Sequence, residues 1–239
     1  MKAMIFAAGF GTRLGELTAD KPKALVEVAG KPMLQHAVEY LKSYGVKEII
    51  INVHHFADMI VDFVKKKHSF ELNIAFSDER AHLLDTGGGL IKASWFFDKD
   101  EPFVLYNVDI LTKTDLKAVI YRHRRSNALA TLVTKNRITS RYLLVNSEGA
   151  LCGWRNTQTG EQIIVNESEP LTEAAYSGIQ VADPKIFSLY KRTGKFSITP
   201  MYLELAKDHL ITTYLDDGPW FDLGKPENIC AAEATFFNP

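Results

Sequence analysis

Strand-like and helix-like segments alternate through the first half of the chain, and this alternation restricts the fold more than any other feature of the 239 residues. Hydrophobic periodicity predicts strands at 48–53, 72–76, 103–106 and 128–134, and helices at 33–44, 56–67, 86–97 and 115–125. Parallel strands need long crossover connections, which these helices provide. The order therefore predicts an α/β fold: a Rossmann-like, mixed but mostly parallel sheet with helices on both faces.

The first strand leads into a glycine-rich turn that is followed by cations. The apolar run 4–8 precedes Gly9-Phe10-Gly11-Thr12-Arg13-Leu14, and Lys21-Pro22-Lys23 comes next. Glycines let backbone N–H groups approach a phosphate closely, and arginine and lysine supply the positive charge. The segment therefore predicts a nucleoside triphosphate site. A plain strand-to-helix turn is the alternative.

Two commoner phosphate loops do not fit this segment. A dinucleotide fingerprint needs a third glycine where Leu14 stands, and its second strand should end in an acid rather than in Asn52. A P-loop needs a Gly-Lys-Ser/Thr run, which the sequence lacks at this position. Leu14 and Asn52 therefore argue against a nicotinamide-dependent oxidoreductase.

Two aspartates follow strand-like segments. Asp109 comes just after the strand at 103–106, and Asp222 stands in Trp220-Phe221-Asp222-Leu223-Gly224. Ligands of an open parallel sheet bind beyond the carboxyl ends of its strands, and a carboxylate facing phosphate suits a hard divalent cation. We therefore expect a metal site. Turn and helix capping are the alternatives, and spacing alone does not bring the two residues together.

Three consecutive glycines open the helix that follows the third strand. The run Thr86-Gly87-Gly88-Gly89 has a high conformational cost, which indicates close approach by a flat ligand. A nucleotide base or ribose packed on this segment is the expectation. A flexible lid is the alternative.

The pattern changes after about residue 135. Short β-like pieces at 142–145, 150–154 and 162–165 are separated by turn residues, which is typical of a meander. A strand at 175–181, helices at 184–191 and 199–207, a strand at 212–215 and a last helix from Pro226 follow. We find no linker or repeat, so we predict one domain over 1–239 that carries a small β-rich lid.

Charge and cysteine content exclude several classes of protein. A net charge of −1 argues against a dedicated nucleic-acid or membrane-surface protein. The two cysteines are too few for a disulfide framework, and no apolar stretch reaches 18 residues. We expect a cytoplasmic protein without nucleic-acid or membrane partners, as a monomer or weak homo-oligomer.

Taken together, these motifs resemble those of the sugar-1-phosphate nucleotidyltransferase family. The signature loop is similar to residues 7–14 with Pro22-Lys23, and the two metal-carboxylate motifs resemble Asn107-x-Asp109 and Trp220-x-Asp222-x-Gly224. The sugar-side loop is similar to Ser177-Gly178-Ile179. The run 85–89 most resembles the short branch that contains N-acetylmuramate-1-phosphate uridylyltransferases and mannose-1-phosphate guanylyltransferases.

The resemblance implies transfer of a nucleotidyl group from an NTP to a sugar 1-phosphate, in a nucleotide-binding half (1–135) and a sugar-binding half (136–239). The implied catalytic residues are Arg13, Lys23 and Asp109, and the implied Mg²⁺ ligands are Asp109 and Asp222. The implied nucleotide-binding residues are Ala8, Gly9, Gly11, Thr12, Arg13, Lys23, Thr86, Gly87, Gly88 and Asn107. The implied sugar-binding residues are Asn107, Arg141, Ser177 and Gly178.

The chain departs from the family at the positions that select substrates. No Glu-Lys-Pro sugar motif is present, and Arg141 stands near where an acid is expected. An inward Arg141 would suit an acidic sugar of the N-acetylmuramate type, as in cell-wall or polysaccharide precursors, whereas a surface arginine is the alternative. UTP is the expected nucleotide; GTP is possible if Glu79 and Arg80 read guanine. A non-catalytic regulatory homologue is the other alternative.

Overall fold

Ten strands form one sheet in the computed structural model, which describes residues 1–168 and 170–237. The strands of the described residues are β1 (Lys2–Phe6), β2 (Glu27–Val28), β3 (Lys31–Pro32), β4 (Glu48–Val53), β5 (Asn73–Asp78), β6 (Phe103–Asn107), β7 (Ile110–Thr112), β8 (Ala130–Lys135), β9 (Arg141–Val145), β10 (Leu151–Asn156), β11 (Gln162–Ile164), β12 (Thr172–Ala182), β13 (Ile211–Leu215) and β14 (Trp220–Asp222). The helices are α1 (Met33–Ser43), α2 (Ala57–Lys66), α3 (Asp85–Lys92), α4 (Leu116–Ser126), α5 (Ile186–Leu189), α6 (Ile198–Leu205) and α7 (Pro226–Phe236). None of these helices is long and apolar enough to cross a membrane.

The sheet is parallel in its first half and antiparallel in its second. Its order is β5-β4-β1-β6-β12-β9-β10-β11, and β8 pairs with both β12 and the parallel strand β13. β1 runs parallel to β4 and β6, whereas β12 runs antiparallel to β6, β8 and β9. The predicted mixed, mostly parallel sheet with a β-rich addition is therefore confirmed. The predicted boundary at 135/136 coincides with the end of β8.

Alternate residues of the central strands enter two different cores. Ile5 of β1 packs in a cluster with residues of α1, α2 and α4, whereas Met4 packs in a cluster with residues of α3, α5 and α6. Both side chains are fully buried. Because successive side chains of a strand point to opposite faces, this segregation shows that helices cover both faces of the sheet, as predicted.

The predicted helix through Phe97 is wrong at its end. α3 ends at Lys92, and a 3₁₀ turn at Ser94–Phe96 follows it. Leaving the helix lets Phe97 turn inward, where its ring stacks on Phe103 at a centroid distance of 4.0 Å. Burial of an aromatic ring outweighs the few helical residues that are lost.

Candidate active site

The glycine-rich loop after β1 wraps around Lys23. Gly11 has a φ of +70°, and a Cβ at this position would lie 2.8 Å from Lys23 Cβ. A Cβ at Gly9 would lie 3.9 Å from Lys23 Nζ. Ala7 is fixed by its N–H, which donates to the Asn52 side chain at 2.7 Å. Gly11 is therefore required both by the turn and by the close approach of a lysine.

Lys23 forms a partly buried ion pair with Asp109. Its Nζ donates to Asp109 Oδ2 at 2.8 Å, and the carboxylate is only 7% exposed. Burial raises the pKa of Asp109, but the charge and hydrogen bond of Lys23, with a smaller contribution from Arg13, outweigh burial and lower it. Asp109 is therefore ionised at neutral pH.

A short ladder between β7 and β14 brings Asp222 to Asp109. Asp222 pairs with Ile110 in this ladder, and the Leu223 N–H donates to the Asp109 carbonyl at 2.8 Å. The Asp222 carboxylate accepts a hydrogen bond from the Gly224 N–H at 2.9 Å. Asp109 and Asp222, which sequence spacing alone could not connect, are therefore neighbours at the end of the β7–β14 ladder.

Arg13 lies across the two carboxylates. Its Nη1 is 3.5 Å from Asp222 Oδ2, and its Nη2 is 4.0 Å from Asp109 Oδ2. A Cβ at Gly224 would lie 2.5 Å from Arg13 Nη2, so the glycine makes room for the guanidinium. Two carboxylates beside a glycine-rich loop are oxygen donors of the kind that Mg²⁺ prefers, so Asp109 and Asp222 could hold such an ion. Within residues 1–168 and 170–237 no group of three or more His, Cys, Asp or Glu side chains has metal-binding geometry.

A cavity of about 340 Å³ lies between the loop, α3 and the end of β6. Its lining is Phe6, Ala8, Gly9, Lys23, Asn52, Leu83, Asp85, Thr86, Asn107, Asp109 and Lys195. Of the residues predicted to bind nucleotide, Ala8, Gly9, Lys23, Thr86 and Asn107 are therefore on its wall. Gly11, Thr12 and Arg13 lie in the loop beside it.

The glycines of α3 have a different role from the one expected. Gly87 and Gly88 are buried, and both N–H groups donate to the Phe196 carbonyl, at 3.0 and 3.1 Å. A Cβ would lie 2.4 Å from the Phe196 ring at Gly87 and 2.1 Å from the Gly194 carbonyl oxygen at Gly88. The close approach that requires glycine is made by residues 194–196 of the same chain, and the expectation that a ligand makes it at these two positions is wrong.

A second cavity, of about 330 Å³, adjoins the first. It is lined by Phe6, Asp85, Thr86, Asn107, Arg137, Thr139, Arg141, Leu143, Trp154, Tyr176, Ser197, Ile198 and Thr199. Phe6, Asp85, Thr86 and Asn107 line both cavities, so the two cavities are neighbours that share one wall. The structure places Arg141 on this wall.

Ser177 and Gly178 lie behind the wall rather than on it. The Ser177 side chain is buried, and its hydroxyl has no hydrogen-bond partner among the described residues. Gly178 has a φ of +87°, and a Cβ there would lie 3.0 Å from Asn107 Nδ2. Gly178 therefore packs against Asn107 from behind, and neither Ser177 nor Gly178 lines the cavity, which differs from the predicted direct contact with a sugar.

Three charged residues of the two cavities escaped the sequence prediction: Asp85, Arg137 and Lys195. Asp85 begins α3 with a φ of +61°, and Arg137 and Lys195 stand in irregular loops. A charged residue soon after a strand, as Arg137 after β8, was the available signal.

Glu79 and Arg80 do not face the cavities. Glu79 is fully buried, and its two oxygens accept hydrogen bonds from Asn52 Nδ2 at 2.8 Å and the Leu84 N–H at 3.0 Å. Arg80 pairs with Asp58 and Asp78 at the surface. The expectation that this pair could read guanine is therefore wrong for the arrangement in the structure.

Comparison with known proteins agrees with this arrangement. The nucleotidyl transferase family model matches residues 2–237. An N-acetylmuramate alpha-1-phosphate uridylyltransferase of Caulobacter vibrioides is 30% identical, over 97% of this chain and 95% of its own length. A mannose-1-phosphate guanyltransferase of Yarrowia lipolytica is 29% identical over 100% of this chain, which spans 64% of that enzyme. A UTP–glucose-1-phosphate uridylyltransferase of Synechocystis sp. is 30% identical over 94% of this chain and 60% of its own length.

Solved structures share the fold. HddC of Yersinia pseudotuberculosis, determined in complex with GMP-PN, has a TM-score of 0.78 and 24% identity, over 98% of this chain and 99% of HddC. A UDP-glucose pyrophosphorylase of Acinetobacter baumanii has a TM-score of 0.80 and 18% identity, over 98% and 92% of the two chains. The chain belongs to the nucleotidyl transferase family, and the predicted sugar-1-phosphate nucleotidyltransferase is confirmed at the level of family and enzyme class.

Proposed function

We propose that this enzyme transfers a uridylyl group from UTP to an N-acetylmuramate-type sugar 1-phosphate and releases pyrophosphate. The observation that carries the proposal is the pair of adjoining cavities, with Asp109, Lys23 and Arg13 at one of them and Arg141 at the other. The Caulobacter relative, whose length this chain spans almost entirely, supports this sugar and this base.

The reaction needs positioning and charge neutralisation rather than a general base. The sugar phosphate is already an anionic nucleophile, so one of its oxygens attacks the α-phosphorus of the NTP directly. The new P–O bond forms as the bond from the α-phosphorus to the bridging oxygen breaks, and pyrophosphate leaves with that electron pair. Lys23 would hold the α-phosphate, and Arg13 would hold the leaving pyrophosphate.

Asp109 and Asp222 are the residues that would hold Mg²⁺. The bound ion supplies neutralisation of the phosphate charges. Arg13 and Lys23, which pair with these carboxylates in the structure, would turn to the phosphates when a triphosphate enters. Proximity of all four side chains makes this exchange of partners a short movement.

The choice of uracil over guanine follows the Caulobacter relative. The base would lie near Asn52, Leu83 and Thr86; Asp85 is the charged residue on this part of the wall, and its carboxylate accepts a hydrogen bond from the Thr86 N–H at 2.7 Å. The choice of an acidic sugar rests on Arg141, whose planar guanidinium can hold a carboxylate with two hydrogen bonds. A cytoplasmic enzyme of cell-wall or polysaccharide precursor synthesis is the corresponding cellular assignment.

The test is a matrix of four nucleoside triphosphates against N-acetylmuramate, mannose and glucose 1-phosphates, read by pyrophosphate release with Mg²⁺ present. The expected result is the highest kcat/KM for UTP with N-acetylmuramate 1-phosphate. A higher value for GTP with mannose 1-phosphate would replace the proposal with guanylyl transfer. No turnover for any pair would favour a regulatory homologue.

A further inference from the structure

Arg137 is held at the boundary between the second cavity and the strand that carries Asp222. Its Nη2 donates to the Tyr176 carbonyl at 3.0 Å, and its guanidinium carbon is 4.6 Å from the centre of the Trp220 ring. Trp220 is fixed in turn, since its Nε1–H donates to the Ser177 carbonyl at 2.8 Å. The guanidinium is therefore positioned by β12 and β14 rather than free to move.

The charge of Arg137 is not neutralised by a neighbouring acid. Within the described residues no carboxylate lies within 4.0 Å of it, and its Nε is buried without a hydrogen-bond partner. Burial lowers the pKa of Arg137, and the more distant charge of Asp222 only partly offsets this. Arg155, by contrast, is exposed and pairs with Glu173 at 3.2 Å. A half-buried, uncompensated cation on a cavity wall indicates that an anion is bound there.

The two arginines of the second cavity lie on different elements. Arg141 begins β9, and its side chain is exposed. Arg137 stacks on Trp220, two residues before the carboxylate of Asp222. The reacting phosphate must come to the Asp222 side, because the α-phosphorus lies beside Asp109 and Lys23 in the proposed reaction. The other end of the sugar then faces Arg141.

We propose that Arg137 binds the phosphate of the sugar 1-phosphate and orients it for attack, whereas Arg141 contacts only the substituent at the other end of the sugar. This inference rests on the proposed function. A planar guanidinium donates two parallel hydrogen bonds to a phosphate, which fixes orientation as well as position. Arg137 would then act on every sugar 1-phosphate, regardless of the charge on its sugar.

The test compares Arg137→Gln and Arg137→Lys with Arg141→Gln, using UTP with mannose 1-phosphate and with N-acetylmuramate 1-phosphate. Arg137→Gln should raise KM for both sugar phosphates on the order of tenfold to a hundredfold, as expected for loss of hydrogen bonds to a charged group. The KM for UTP should stay within about twofold, because the triphosphate lies in the other cavity. Arg137→Lys should recover part of the loss, and Arg141→Gln should affect the acidic sugar alone. Arg155→Gln, at an exposed pair, is the matched control and should change nothing.

Three results would overturn the inference: an unchanged KM for both sugar phosphates in Arg137→Gln, an effect confined to the acidic sugar, or an equal rise in KM for UTP. If Arg137→Gln fails to fold, as judged by thermal unfolding, Arg137→Lys carries the same comparison. If the wild type turns over no pair, the proposed function fails separately. Calorimetric titration with mannose 1-phosphate then decides, because equal affinity of wild type and Arg137→Gln contradicts phosphate binding by Arg137.

Discussion

The two sides of the cleft differ in whether their cationic side chains are paired with carboxylates. On the side of the first cavity, Lys23 pairs with Asp109 at 2.8 Å, and Arg13 pairs with Asp222 at 3.5 Å. On the side of the second cavity, Arg137 and Arg141 line the wall, and within the described residues neither has a carboxylate within 4.0 Å. The cations of the first side are paired with carboxylates, and the two arginines of the second side are not.

We expect this difference in pairing to distinguish residues that act on turnover from residues that act on substrate affinity. In the proposed reaction, a triphosphate on the first side would take Lys23 and Arg13 from the aspartates, which would leave two carboxylates free for a cation. On the second side, an anionic sugar phosphate would meet charges that need no such exchange. Substitutions on the first side should therefore change turnover or stability, and substitutions on the second side should change substrate affinity.

The largest effect is expected from Asp109→Asn and Asp222→Asn. Each should lower kcat on the order of a hundredfold or more, because each would weaken a proposed ligand of the cation that neutralises phosphate charge in the proposed reaction. The rate of pyrophosphate release at millimolar Mg²⁺ measures kcat. Asp208→Asn, a substitution at an exposed position, is the control. Near-wild-type turnover of either variant would show that the substituted aspartate does not bind the cation, and would contradict the proposed difference between the two sides.

Lys23→Ala should cost stability as well as turnover. It leaves Asp109 buried with only the more distant Arg13, 4.0 Å away, as a cationic neighbour, which costs about 3 kcal/mol in the free energy of unfolding. Without Lys23, burial should raise the pKa of Asp109 in the folded protein above its value in the unfolded chain. The variant should therefore show its full loss in the free energy of unfolding at neutral pH. This loss should shrink as the pH falls through the raised pKa, because Asp109 then becomes protonated and neutral. Urea unfolding at pH 7 and pH 4.5 measures this.

Arg13→Ala is the matched variant for Lys23→Ala, because the Arg13 side chain is 56% exposed. It should lower kcat and leave the free energy of unfolding nearly unchanged. An equal loss of stability in both variants would contradict the difference in burial between the Lys23–Asp109 pair and the Arg13–Asp222 pair.

Gly88→Ala tests the packing of α3 on residues 194–196. The new Cβ would fall 2.1 Å from the Gly194 carbonyl oxygen, a backbone atom, so the segment must shift. The free energy of unfolding should fall by about 1–3 kcal/mol, the usual cost of overpacking. Gly160→Ala is a control for alanine at a glycine without neighbours within 4 Å, although its positive φ carries a cost of its own. An unchanged stability in Gly88→Ala would show that the space is available to a ligand after all.

The smallest effect is expected from Arg141→Ala. It should raise KM for N-acetylmuramate 1-phosphate about two- to fivefold, the scale of an exposed ion pair, and leave mannose 1-phosphate unaffected. Steady-state kinetics with both sugars at saturating UTP separates the two. Equal effects on both sugars would mean that Arg141 does not read the acidic group.

The fold and half of the cleft were predictable from local patterns. Periodicity located the alternating strands and helices, and the glycines with Arg13 and Lys23 indicated the phosphate loop. Glycine runs are ambiguous, because they permit close approach by a ligand or by the chain itself. At Gly88 the approaching atom belongs to Gly194, and at Gly178 it belongs to Asn107 and Ile110. Only tertiary structure distinguishes these cases.

The juxtaposition of Asp109 with Asp222 was not predictable either. It depends on the pairing of β7 with β14, two strands of three residues each that are distant in sequence. Arg137 and Lys195 were missed because they stand in irregular segments, where neither period 2 nor period 3.6 marks the direction of a side chain.

The short β7–β14 ladder also sets an order of events during synthesis. The ribosome makes the phosphate loop, Lys23 and Asp109 early, and these parts can meet once β6 has been made. Asp222 is added much later, with β14, the strand that pairs to β7 at Ile110. A nascent chain can therefore form the first cavity well before it can bring Asp222 beside Asp109. If Asp222 holds the cation as proposed, the growing polypeptide is expected to stay catalytically silent until β14 has docked.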